Sequence, residues 1–235
     1  MYMQRINRGF ILVISFLILF AGLYTIVIAA DMVPVIKKPI IDDVPTIFTD
    51  TVQLPAMIAN TTLVAEQIVS YDGPYLEDGS EEYVSGVAAL YLHNSGANMV
   101  TGCRIIVGLD YGLYRFEATC IPPGATVLVQ EKDRKAYCDM GICSVVGSAS
   151  TGGAAMLDSA EITLEYDLKG MLVRNVSEYD YDTIFIAHKN YAEDKNLYIG
   201  GVTYVTYVDC LQSGSEQYVW PVHMDENSRI VYICK

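Results

Sequence analysis

Ile162-Thr-Leu-Glu-Tyr-Asp-Leu168 decides the fold class. Ile162, Leu164, Tyr166 and Leu168 alternate with Thr163, Glu165 and Asp167, which is the two-residue period of a strand with one face buried. The same period recurs outward in both directions. Tyr114, Phe116, Ala118 and Cys120 oppose Arg115, Glu117 and Thr119, and Val202, Tyr204, Thr206, Val208 and Cys210 share one face. Further strands are expected at 61–70, 84–93, 103–109, 125–131, 183–188, 216–220 and 229–234. No stretch after residue 30 carries three turns of an amphipathic helix. Short strands separated by Gly, Pro and Asp turns predict an all-β chain of one or two β-sandwich units.

A faint internal repeat runs through these strands. Cys120-Ile-Pro-Pro-Gly124 aligns with Cys210-Leu-Gln-Ser-Gly214, which sets Tyr114 on Tyr204. Asn94-Ser95 precedes the strand at 103–109, and Asn175-Val-Ser177 precedes the strand at 183–188. The two spacings differ by nine residues, which the polar turn Asn190–Tyr198 absorbs. The repeat divides the chain into a first sandwich unit at 59–146, a Gly/Ser/Ala linker at 147–158 and a second unit at 159–235. The Asn-turns and the Ile121-Pro-Pro-Gly124 and Leu211-Gln-Ser-Gly214 turns resemble those of bacterial immunoglobulin-like or fibronectin-type adhesion modules, over residues 84–131 and 162–221. The resemblance implies immunoglobulin-like sandwiches that bind or space rather than catalyse. Those modules mostly lack cysteine, whereas both turns here follow one.

The N-terminus reads differently. Arg5 and Arg8 precede an uncharged run from Gly9 to Ala30, long enough as a helix to cross a hydrocarbon core of roughly 30 Å. A membrane anchor at 9–30 is the expectation, with 1–8 as a cytoplasmic tail. Val27-Ile28-Ala29-Ala30 also fits cleavage of a signal peptide. Pro34, Pro39, Pro45 and Pro55 make 31–58 an extended stalk that adds an edge strand at its end. Lys37 and Lys38 nearly balance Arg5 and Arg8, so basic residues alone do not orient the span. All six cysteines follow it, and an even set suits an oxidising compartment, which places the large domain outside the cytoplasm. Without Arg5 and Arg8, 13 basic residues face 28 acidic ones, a net charge of −15. That balance excludes nucleic acid as a partner and leaves an extracellular protein or polysaccharide.

The candidate site residues follow from these patterns. Pairing about a Tyr111-Gly112 turn would set Cys103 opposite Cys120. Cys138 with Cys143 would close a short loop, and Cys210 with Cys234 would join C-terminal strands. The rival reading, zinc, needs cysteine knuckles that one Cys-x4-Cys does not supply. A catalytic reading of His93, His188 or His223 needs a nucleophile, but Ser85, Ser95 and Ser213 are turn-like and no Gly-x-Ser-x-Gly elbow is present; His93 and His188 are expected at equivalent structural positions. Asp180 and Asp182 share a strand face that could bind calcium, or simply be solvated. Tyr179, Tyr181, Tyr191, Tyr198 and Tyr204 could gather into one binding patch. Arg8-Gly9-Phe10 resembles a type IV prepilin start, which implies a minor pilin or envelope-assembly role. No catalytic residue, cofactor or metal ligand is identified. A non-enzymatic surface module is the leading expectation, with an envelope hydrolase as the other alternative.

Overall fold

Period-two alternation becomes strand pairing throughout the computed structural model, which describes residues 35–36 and 53–235 apart from 110–111, 139–140, 153–155, 168–169 and 225. The expected tail, the anchor 9–30 and most of the stalk 31–58 lie outside the described residues. Among the described residues no helix is long and apolar enough to cross a membrane.

The strands are β1 (Val35–Ile36), β2 (Ala56–Met57), β3 (Leu63–Pro74), β4 (Tyr83–Asn94), β5 (Val100–Leu109), β6 (Gly112–Ile121), β7 (Thr126–Gln130), β8 (Ile142–Thr151), β9 (Ile162–Asp167), β10 (Gly170–Asn175), β11 (Tyr181–Ala192), β12 (Leu197–Leu211), β13 (Glu216–Val219) and β14 (Ser228–Cys234). In the first repeat, β3–β8, β3-β4-β7 form one sheet and β6-β5-β8 another. In the second repeat, β9–β14, β9-β10-β13 and β12-β11-β14 pair in the same pattern, strand for strand. Each pair of sheets encloses its own core. Leu90, Leu92 and Val129 meet Ile105, Val107 and Phe116 in the first. Met171, Val173 and Val219 meet Ile184, Ile186 and Val208 in the second. Alternation along each strand supplies these inward residues, and burying them is the main favourable term in folding.

The turns carry the repeat most closely. Cys120 and Cys210 adopt left-handed φ of +50° and +54°, and Gly124 and Gly214 follow at +69° and +70°. The Gly124 N–H donates to the Asn94 carbonyl at 2.8 Å, and the Gly214 N–H to the Asn175 carbonyl at 3.0 Å. Both asparagines are buried. Asn94 Nδ2 donates to the carbonyls of Asn98, Ile121 and Pro122, and Asn175 Nδ2 to those of Tyr179 and Leu211. Their Oδ1 atoms accept the N–H groups of Gly96 and Ser177. Only a short amide donates and accepts at once over this reach.

Four expectations need correction. First, Gly147–Thr151 belong to β8 rather than to a linker, because β8 pairs with β5 along its whole length. Second, the strand β10 was not expected; its brief apolar run lacks a visible alternation. Third, His93 lies in β4 and His188 in β11, which are not equivalent strands. Fourth, Cys103, Cys120, Cys138, Cys210 and Cys234 are thiols, so none of the sequential disulfides is present; the Cys143 side chain lies outside the described residues. The β5–β6 register explains the first pair: Leu109 pairs with Gly112, which sets Cys103 opposite Ala118 instead of Cys120. Cys103 is buried in the first core, and burial pushes its thiol up to about 12. Cys210 is exposed while Cys234 is buried. At the stalk's end, β2 does add an edge strand, on β3.

Candidate functional site

The two repeats meet along β12. Near its start, Tyr198 and Ile199 pair in parallel with Val127 and Leu128 of β7, which joins sheets from both repeats into one. This contact depends on the nine-residue difference between the repeats. The β5–β6 hairpin spans 100–121 and the β11–β12 hairpin 181–211. The extra length extends both β11 and β12, and the added part of β12 pairs with β11 on one edge and with β7 on the other.

A polar cluster fills the junction. Lys189, fully buried, donates from Nζ to the carbonyls of Gly201 (2.8 Å) and Val202 (2.6 Å) and to Thr203 Oγ1 (3.0 Å). Thr203 Oγ1 donates to the Thr119 carbonyl and accepts from Thr119 Oγ1, both at 3.0 Å, which ties β12 to β6. Glu77 arrives from the 75–82 loop between β3 and β4. Its Oε1 accepts the N–H groups of Gly201 (2.8 Å) and Gln130 (2.9 Å), bridging β12 and β7. Gln130 in turn anchors the loop, accepting from Leu76 N–H and donating to the Pro74 carbonyl, each at 2.7 Å. Glu77 and Lys189 therefore hold the N–H and the carbonyl of Gly201, in the two successive peptide groups that flank its α-carbon.

Burial dominates the electrostatics here. It raises the Glu77 carboxyl to about 7 against the two N–H donors and the Lys189 charge. It lowers the Lys189 ammonium to about 8, opposed by nearby groups that include Glu77. The loop makes a second crossing where His223 Nδ1 lies 2.6 Å from Glu81 Oε1. The His223 ring stacks on Tyr204, centroids 4.8 Å apart, and Tyr204 stacks on His188 at 5.5 Å. On the other face of β12, Cys120, Ala187, Val205 and Val231 form an apolar cluster of their own.

Close approach requires glycine at 201. A methyl group there would collide with the Glu117 carbonyl and lie 2.9 Å from Glu77 Oε2. Gly201→Ala is expected to lower the unfolding free energy by about 2–3 kcal/mol through overpacking. Gly141→Ala, where nothing lies within 4 Å of the added carbon, should change it by less than about 0.5 kcal/mol. Denaturant titration of the two variants checks the contrast.

The expected tyrosine patch is not assembled. Tyr179 is exposed beside the Asn175 turn, while Tyr181 is buried in the second core with its hydroxyl on Glu161. Tyr191 and Tyr198 pair edge to face at 5.1 Å, and the Arg229 guanidinium covers Tyr191 at 3.6 Å. Tyr204 sits in the junction. Asp180 accepts the Ser213 N–H and so caps a turn. Among the described residues no group of three or more His, Cys, Asp or Glu could hold a metal ion. An open groove of about 530 Å³ lies beside the junction, lined by Asn98, Met99, Pro122, Pro123, Thr151 and Val231. The sequence reading missed Glu77, Gln130 and Lys189. Their surroundings gave little signal, since Lys189 lies between His188 and Asn190 and Gln130 opens the polar run Glu131-Lys132-Asp133. No family model, curated protein or solved structure matches this chain.

Proposed function

We propose that this chain is a membrane-tethered protein whose tandem sandwiches stand outside the cytoplasm as a non-enzymatic binding or structural module. The observation that carries the reading is the junction: buried ionisable groups bind backbone of both repeats and hold them in one continuous sheet. Lys189 and Glu77 are both engaged by backbone at Gly201, as a spacer or scaffold requires. The six-strand arrangement, three strands facing three in each repeat, favours immunoglobulin-like modules. The uncharged span at 9–30 supports the tether.

Protease shaving of intact cells or spheroplasts tests the topology. Added protease should remove the region after residue 30 while a tag placed before Arg5 stays protected. Protection of the C-terminal domain would refute the reading. N-terminal sequencing distinguishes the pilin-like variant, for which the processed chain would begin at Phe10.

A further inference from the structure

The repeats differ in a second connection besides the hairpin of β11 and β12. Residues 168–169 separate β9 from β10, whereas residues 75–82 separate their counterparts β3 and β4. The longer loop is fastened to its own repeat. The Tyr75 hydroxyl donates to the carbonyls of Glu131 (3.0 Å) and Lys132 (2.8 Å), and Gln130 holds Leu76 and the Pro74 carbonyl. The Arg134 guanidinium lies over the Tyr75 ring and pairs with Asp78 (2.8 Å) and Glu82 (2.7 Å). From this base the loop reaches the second repeat at three points. The Leu76 side chain packs against Gly200, where an added carbon would stand 2.9 Å from it. Glu77 accepts the Gly201 N–H, and Glu81 meets His223. Tyr75 and Leu76 at the base are buried, while Asp78, Ser80, Glu81 and Glu82 are exposed.

We propose that the 75–82 loop is a clasp that stays fastened to the first repeat, closes on the second in mild acid and lifts from it as pH rises towards neutrality. Its two polar crossings work in the same direction. The Glu81–His223 contact is an ion pair only with a protonated ring. Burial holds the Glu77 carboxyl up to about 7, so the closed loop keeps a proton that a solvated carboxyl releases near 4.5. The other ionisable groups facing Glu77 are Lys189 of β11, Glu117 of β6, Cys103 of β5, Tyr204 of β12, and Tyr71 and Tyr75 beside it. Burial raises the thiol and the phenols, which stay uncharged through this range. Lys189 favours the charged carboxyl and Glu117 opposes it, and burial outweighs both. The Lys189 ammonium donates to three acceptors on β12, so it stays with the second repeat when the loop moves. The seam left behind is short, with β7 and β12 paired at Tyr198–Val127 and Ile199–Leu128, so lifting the clasp slackens the tie between the repeats. This goes beyond the scaffold reading, which a permanently closed loop would satisfy equally.

Hydrogen–deuterium exchange of the full chain in detergent, resolved to single residues by electron-transfer fragmentation, tests it. The Gly201 amide reports the clasp. The Gly214 amide, which donates to the Asn175 carbonyl within the second repeat, reports unfolding of that repeat. After correction for intrinsic exchange, protection at Gly201 should fall at least about tenfold between about pH 5 and about pH 7.5, while protection at Gly214 holds. Glu77→Gln, which keeps an acceptor but does not titrate, should reduce the Gly201 change to less than about threefold. The proposal is overturned if Gly201 in the natural chain is protected equally or better at the higher pH. It is equally overturned if Gly214 loses protection in step with Gly201, or if Glu77→Gln keeps the full change.

Discussion

Lys189→Met should lower the unfolding free energy by about 3–5 kcal/mol, the cost of breaking a buried charge cluster from one side. Three acceptors lose their donor: the carbonyls of Gly201 and Val202, and Thr203 Oγ1. Glu77 loses the opposing charge while it stays buried. Domains of this size are commonly stable by about 5–15 kcal/mol, so the loss would be a large share of the total. Urea unfolding at pH 7.5 is the direct check. A loss under about 1 kcal/mol would show that the junction is not held by this charge. Adding Glu77→Gln to Lys189→Met should recover part of the stability, since the amide oxygen still accepts the Gly201 and Gln130 N–H groups and no lone charge remains.

The pH dependence follows from the direction of the Glu77 shift. Its folded value is raised from 4.5 to about 7, so the folded state holds the proton more tightly than the unfolded state. Its contribution is fully present below about pH 4.5 and declines as pH rises towards 7. The stability of the natural chain relative to Glu77→Gln should fall by up to about 1.4 kcal/mol per pH unit in that window, then level off. Lys189 is shifted by the same cause, burial, but in the opposite direction and in a different pH window. Its folded value is lowered from 10.5 to about 8, so its contribution is present above about 10.5 and lost as pH falls to 8.

The sandwich layers were legible because alternation is a local signal: Tyr114, Phe116 and Ala118 face the core as their period predicts. The turn repeat was legible for the same reason, since a left-handed residue followed by Gly124 or Gly214 leaves its mark within five positions. β8 was hidden because Gly147-Ser-Ala-Ser150 has the composition of a linker, and only pairing with β5 makes it a strand. The junction was hidden because it is non-local. Glu77 meets Gly201 from 124 residues away, and nothing in either neighbourhood announces the other. The extra nine residues of the second hairpin looked like slack taken up in a turn, yet they carry the segment of β12 that joins the repeats. The expected Cys103–Cys120 pair failed through the register of one hairpin, where two residues separate a facing pair from a diagonal one.

The two buried asparagines offer a comparison within one molecule. Asn94→Ala should cost about 3–5 kcal/mol and Asn175→Ala about 2–4 kcal/mol, on the usual penalty of about 1–3 kcal/mol per buried group left unmatched. Asn94 is expected to cost more because its Nδ2 serves three carbonyls and its Oδ1 also accepts from Thr62 Oγ1 at 2.9 Å, linking the segment just before β3 to the turn. Asn175 serves two carbonyls, and its Oδ1 accepts the Ser177 hydroxyl and N–H from within the same turn rather than a group from another strand. Asp at either position keeps the acceptor but turns a carboxylate oxygen towards carbonyls, so it should cost at least as much as Ala. The sites share no hydrogen-bond partner and lie in separate repeats, so the double variant should show the sum of the single losses within about 0.5 kcal/mol. A sum that fell well short would mean that the repeats unfold separately rather than through the continuous sheet. Circular dichroism and fluorescence of Trp220 distinguish the cases. The fluorescence reports the second repeat alone, so its transition should coincide with the far-ultraviolet transition if the junction keeps both repeats cooperative.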